Sequence, residues 1–124
     1  MSVELGRTIA DAGFKLVNGG YGGTMEGTAK GAASIPGSVR EGVVVPTLFP
    51  HRSGGGNAFL TEVTATGSLL ERIQAMIGQA DYFIVMPGTL GTLTEAAIIW
   101  NIAALGAIGG YRSPKIFCYR CDIT

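Results

Sequence analysis

The stretch Tyr82-Phe-Ile-Val-Met-Pro-Gly-Thr-Leu-Gly-Thr-Leu-Thr-Glu95 decides the fold. Its first five residues are apolar without alternation, the pattern of a parallel strand covered on both faces. Pro87 to Gly91 breaks that run, and Thr92 to Leu105 takes up helical spacing, so the order is strand, glycine turn, helix. In parallel α/β sheets ligands bind beyond the carboxyl ends of the strands, where such turns lie. A helix N-terminus offers unpaired N–H groups and partial positive charge, so it holds phosphate without a basic side chain. Gly88, Thr89, Leu90, Gly91 and Thr92 are therefore the expected phosphate cradle, with Gly88 and Gly91 allowing close approach and Thr89 and Thr92 adding hydroxyls. No lysine follows the last glycine, so this is not a Walker loop, and it is not GxGxxG either.

The same order recurs upstream. Val3 to Ala12 reads as a helix stopped by Gly13, and Phe14 to Val17 as a short buried strand. The strand runs into Asn18-Gly-Gly-Tyr-Gly-Gly-Thr-Met-Glu26, after which the small residues Thr28 to Ala33 continue as a helix. Gly42 to Leu48 is a second β-rich run, His51 to Asn57 a glycine-rich loop, and Phe59 to Thr64 an extended piece. Ser68 to Ile77 reads as a helix, with Leu69, Ile73 and Met76 in register beside Leu70 and Ile77, and Ser68 with Glu71 as a capping box. Lys115 to Tyr119 reads as the last strand. Alternation along all 124 residues predicts one α/β domain, 1–124, built as a three-layer parallel sheet.

Composition narrows the function classes. Nine basic and nine acidic residues cancel, so nothing marks the chain as a binder of nucleic acid or of an anionic membrane, and any anion must be gripped locally. The apolar runs are too short to span a bilayer and the N-terminus lacks a secretory h-region, so a cytoplasmic location is expected. Cys118 and Cys121 form a single pair without the second pair that a structural zinc site requires, so no metal is expected, and no cofactor is called for. Twenty glycines, clustered between apolar segments, indicate tight turns rather than disorder.

PGTLGTLTE resembles the PGGxGTxxE signature of the LOG ("Lonely Guy") phosphoribohydrolase family, with Thr89 in place of its second glycine. Leu69-Leu-Glu-Arg72 occupies the place of that family's arginine motif, and Arg72 and Glu95 are 23 residues apart, as the family's arginine and glutamate are. Leu70 and Ile73 replace the family's histidine and lysine. GGYGGTMEGTAKGA resembles the family's GGGxxGLMG, one residue shorter and nearer to the related molybdenum cofactor carrier proteins. The resemblance implies a Rossmann-like fold, here without the family's first strand and last helix, and a homodimer.

It also implies hydrolysis of the N-glycosidic bond of a nucleoside 5′-monophosphate, such as a cytokinin riboside monophosphate or AMP, to free base and ribose 5-phosphate. Arg72 and Glu95 are the expected catalytic pair. Glu95 would stabilise an oxocarbenium-like ribose or activate water, and Arg72 would orient the ribose or phosphate, or hold Glu95. Gly19, Gly20, Gly22, Gly23 and Met25 join the second turn as phosphate or ribose contacts. The alternative is a noncatalytic carrier of a nucleotide or pterin phosphate.

Several residues also have ordinary roles. Thr92 to Glu95 is itself a capping box, Arg72 lies at the edge of its helix's apolar stripe where solvation is common, and Glu26 suits a first helical turn. His51 and Arg52 lie in a loop able to fold over a base, and Tyr82 and Trp100 read as core or interface aromatics. Nothing in the contexts of Lys15, Lys30 or Lys115 assigns a Schiff-base role, which sets aside the older lysine decarboxylase label.

Overall fold

The computed structural model describes residues 2–48, 56–86, 95–101 and 115–118. Two compact units divide the chain, residues 1–76 and 77–124. In the first unit the elements run α1 (Ser2–Asp11), β1 (Leu16–Asn18), α2 (Thr24–Ala33), β2 (Arg40–Val44) and β3 (Glu62–Ala65), and α3 (Leu69–Gln79) starts there. β1, β2 and β3 form a parallel sheet in that order, with Val17 opposite Glu41 and Val43 opposite Thr64. Val43 and Val44 on the central strand β2, and Val45 just past its end, are fully buried, as parallel strands covered on both faces require.

The first strand starts two residues later than the expected Phe14. Gly13 adopts φ 88°, its N–H donates to Ala10 O at 3.0 Å, and Phe14 N–H donates to Ile9 O at 3.2 Å. That pair of bonds is a Schellman cap, so Phe14 still belongs to the end of α1 and stays 53% exposed. α1 and α2 then meet at backbone distance. A Cβ added to Gly6 would fall on the Thr28 carbonyl, and one on Gly31 on the Val3 carbonyl. Ala10, Ala29 and Ala32 close the same contact against Leu16, with Ile9, Ile35, Phe59 and Leu60 at its margin.

The capping of α3 is close to expectation. Ser68 Oγ accepts from Glu71 N at 3.2 Å, while Glu71 Oε2 reaches back to Gly67 N at 2.8 Å, one residue short of a full capping box. Its fully buried residue is Arg72, with Ile73, Met76 and Ile77 half-buried as expected, whereas Leu69 and Leu70 at its start are exposed.

In the second unit β4 (Tyr82–Val85) pairs in parallel with β5 (Lys115–Cys118), Phe83 opposite Ile116. The expectation that Tyr82 to Met86 is covered on both faces is corrected here: Tyr82 and Ile84 point to one open face, Tyr82 being 50% exposed, with Lys115 Nζ 5.8 Å from its ring centre. Trp100, 73% exposed on the helical stretch 95–101, is likewise no core residue. The described strand pairs appear as two sheets, each parallel, in an α/β chain. No helix among the described residues is long and apolar enough to cross a membrane.

Candidate functional site

The first glycine turn lies at the carboxyl end of β1 and leads into α2, as the strand, turn, helix order demands. Asn18, the last residue of β1, organises it. Its Oδ1 accepts from Gly20 N at 2.8 Å in an Asx turn, and its Nδ2 donates to Met25 O at 2.9 Å and Thr28 Oγ1 at 3.2 Å. The turn is thus closed on both sides by one amide. Gly23 caps α2 with φ 67° and supplies no side-chain acceptor to the first N–H groups of the helix.

Arg72 supports the turn from beneath. It is 8% exposed, its Nε donates to Val43 O at 2.9 Å, and its Nη2 donates to Gly19 O at 2.8 Å with Met25 Sδ at 3.7 Å. Its guanidinium also lies 5.6 Å from the Tyr21 ring centre. A Cβ on Gly19 would collide with the Arg72 guanidinium, so that glycine makes room for the clamp. Arg72, expected as a catalytic residue and with a solvated helix edge as its ordinary alternative, is a buried tie between the turn and the central strand. The fixed fork of the guanidinium suits it to two carbonyls at once.

The loop at 56–58 closes the other wall. Asn57 N donates to Gly20 O at 2.8 Å, and Asn57 Nδ2 donates to Tyr21 O at 3.1 Å. Tyr21 is buried, its hydroxyl accepting from Val45 N at 2.9 Å. Between turn and loop lies an open hollow of about 790 Å3 lined by Tyr21, Gly22, Gly23, Glu26, Gly56, Asn57 and Ala58. Asn18, Tyr21 and Asn57 are residues that motif reading missed. Asn18 had a signal, an asparagine ahead of a Gly-Gly pair, but nothing local links Asn57 to a turn 37 residues away.

Six expected site residues thus come together in the first unit: Gly19, Gly20, Gly22, Gly23, Met25 and Arg72. Glu95 lies on the helical stretch of the second unit, partly buried. Gly88, Thr89, Leu90, Gly91 and Thr92 lie outside the described residues, as do His51 and Arg52. Lys15 is far from free-amine chemistry. Its Nζ sits 2.9 Å from Glu41 Oε1 and 3.5 Å from Glu62 Oε2, and its pKa is raised above the ordinary 10.5, chiefly by the hydrogen bond to Glu41. That argues further against a Schiff-base lysine.

Residues 1–108 match the SLOG cluster4 family. Over 106 residues the chain is 34% identical to the cytokinin riboside 5′-monophosphate phosphoribohydrolase of Mycobacterium tuberculosis, covering 86% of this chain and 56% of that protein. It is also 34% identical over 105 residues to the cytokinin riboside 5′-monophosphate phosphoribohydrolase LOG of Oryza sativa, covering 85% and 43%. Among solved structures, the X-ray structure of TM1055 from a structural genomics consortium superposes with a TM-score of 0.71 at 27% identity, over 82% of this chain and 56% of that one. The molybdenum cofactor binding protein of Rippkaea orientalis superposes with a TM-score of 0.68 at 22% identity, over 93% and 76%, a likeness of fold. The chain spans about half the length of the curated relatives it matches.

Proposed function

The chain belongs to the SLOG cluster4 family, and from that premise we propose that it hydrolyses the N-glycosidic bond of a nucleoside 5′-monophosphate, releasing free base and ribose 5-phosphate. The observation that carries the proposal is the glycine turn, held open over a hollow by Asn18, Arg72 and Asn57, in a chain 34% identical to phosphoribohydrolases. The second turn, Gly88 to Thr92, is the proposed phosphate cradle on its sequence. Water is the co-substrate.

Bond cleavage develops positive charge on the ribose, and Glu95 is the proposed carboxylate that stabilises it or activates the water. Arg72 acts through the turn it holds, since two of its donors are taken by main-chain carbonyls. That same engagement favours a second reading, a noncatalytic carrier of a nucleotide or pterin phosphate. A cytoplasmic location is proposed on the short apolar runs and the N-terminal sequence, and a homodimer on the resemblance alone.

Incubation with a panel of nucleoside 5′-monophosphates, with free base followed by chromatography, separates the two readings. The expected result is base release by the wild type and its loss in Glu95→Gln, with nucleotide affinity kept within about tenfold because shape is preserved. Binding without release would establish the carrier. Normal turnover by the variant would leave Glu95 as a helix cap.

A further inference from the structure

The hollow beside the first glycine turn has walls that are unequal in chemistry. Gly22, Gly23, Gly56 and Ala58 offer it no polar side-chain atom. The Asn57 amide is spent on Gly20 O, Tyr21 O and Phe59 N. The Tyr21 ring is buried, and its hydroxyl is taken up by Val45 N. Glu26 is different. It is exposed on the first turn of α2 and makes no hydrogen bond or ion pair among the described residues. Its Oε2 lies 3.8 Å from where a Cβ on Gly22 would sit, so the carboxylate leans back over the turn.

An ionised carboxylate only accepts hydrogen bonds, so its ligand must bring donors. The phosphomonoester dianion of a nucleotide brings none, and any phosphate carries the same sign of charge, so a phosphate in this hollow would meet repulsion in the space that the turn leaves open. A vicinal diol brings two hydroxyl donors to two carboxylate oxygens, and needs no positive counter-charge.

We infer that this hollow receives the ribose diol of the ligand and excludes phosphate, with Glu26 as the residue that selects for the diol. The inference rests on the proposed nucleoside ligand and divides the labour between the glycine turns: the first reads sugar hydroxyls, which leaves the phosphate to another part of the chain. Helix-dipole compensation also accounts for an acidic residue at this position on α2, and it predicts no difference between the two sugars.

The test is calorimetric titration of the 124-residue chain, and of its Glu26→Ala and Glu26→Gln variants, with adenosine, 2′-deoxyadenosine and inorganic phosphate. Hydrogen bonds to a charged group carry a tenfold or larger effect, so the wild type is expected to bind adenosine about tenfold or more tightly than 2′-deoxyadenosine. Glu26→Ala is expected to erase that difference and Glu26→Gln to reduce it, with phosphate binding equal or tighter in both because the repelling charge is gone. Equal binding of the two nucleosides by the wild type, no nucleoside binding at all, or weaker phosphate binding in either variant would overturn the inference. Base release from AMP, measured in parallel, keeps the two ideas apart. Diol preference without base release defeats the hydrolase reading alone, and base release without diol preference defeats the role of Glu26 alone.

Discussion

Arg72 shows how far a residue's role can depart from its place on a helical wheel. Beside Leu69 and Leu70 it is the polar neighbour, yet it is buried while they face solvent. Its Nε and Nη2 satisfy the carbonyls of Val43 and Gly19, 29 and 53 residues away. Removing it leaves both oxygens without these donors, and each unsatisfied buried group costs about 1 to 3 kcal/mol. Arg72→Ala is therefore expected to lower unfolding free energy by about 2 to 4 kcal/mol, read from the denaturant midpoint. Gly19→Ala is expected to destabilise the wild type by a comparable amount, because its Cβ falls on the guanidinium, and far less in the Arg72→Ala background. A double-mutant cycle with additive effects would show that the two positions do not touch.

At the scale of elements, the α1 and α2 pair depends on missing side chains. Alanine in place of glycine favours an isolated helix by about 1 kcal/mol. At Gly6 and Gly31 the added Cβ would meet the backbone of the facing helix, which cannot rotate away as a side chain does. Gly6→Ala and Gly31→Ala are expected to destabilise by about 1 to 3 kcal/mol despite the better propensity. A rise in melting temperature for either would mean that the helices separate without cost.

The sheet has its own electrostatic tie, Lys15 bridging Glu41 on β2 and Glu62 on β3. Because the folded chain raises the Lys15 pKa, this tie is fully present at neutral pH and is lost as pH rises above 10.5 through the folded-state value. Lys15 is 41% exposed at its side chain, so screening holds its worth to about 1 kcal/mol or less. Thermal melts of wild type and Lys15→Met should differ at neutral pH and converge above that window; a constant difference would assign the effect to packing.

At the scale of the molecule, exposed apolar side chains stand out: Leu70 on α3, Trp100 on the 95–101 helical stretch and Phe117 on β5. The proposed homodimer gives such surface a place to go, and sedimentation at micromolar concentration is expected to report twice the 12.8 kDa of the chain. A species of 12.8 kDa under those conditions would rule the dimer out.

Much of the architecture was written locally. Gly13 ended α1, Ser68 and Glu71 capped α3, and Val43 and Val44 fell in a buried parallel strand, because caps and strand burial depend on residues a few positions apart. The glycine turn at 19–23 was legible for the same reason. Its closure was not: the bonds from Arg72, Asn57 and Tyr21 span 53, 36 and 24 residues, and the parallel pairing of β1 with β2 and of β2 with β3 brings those partners within reach. The start of β1 moved past Phe14 because a Schellman bond claimed that residue first. Periodicity alone thus determined which elements form, while the tertiary structure decided that a polar residue, with carbonyls to satisfy, takes the buried place on α3 that pattern assigned to leucine.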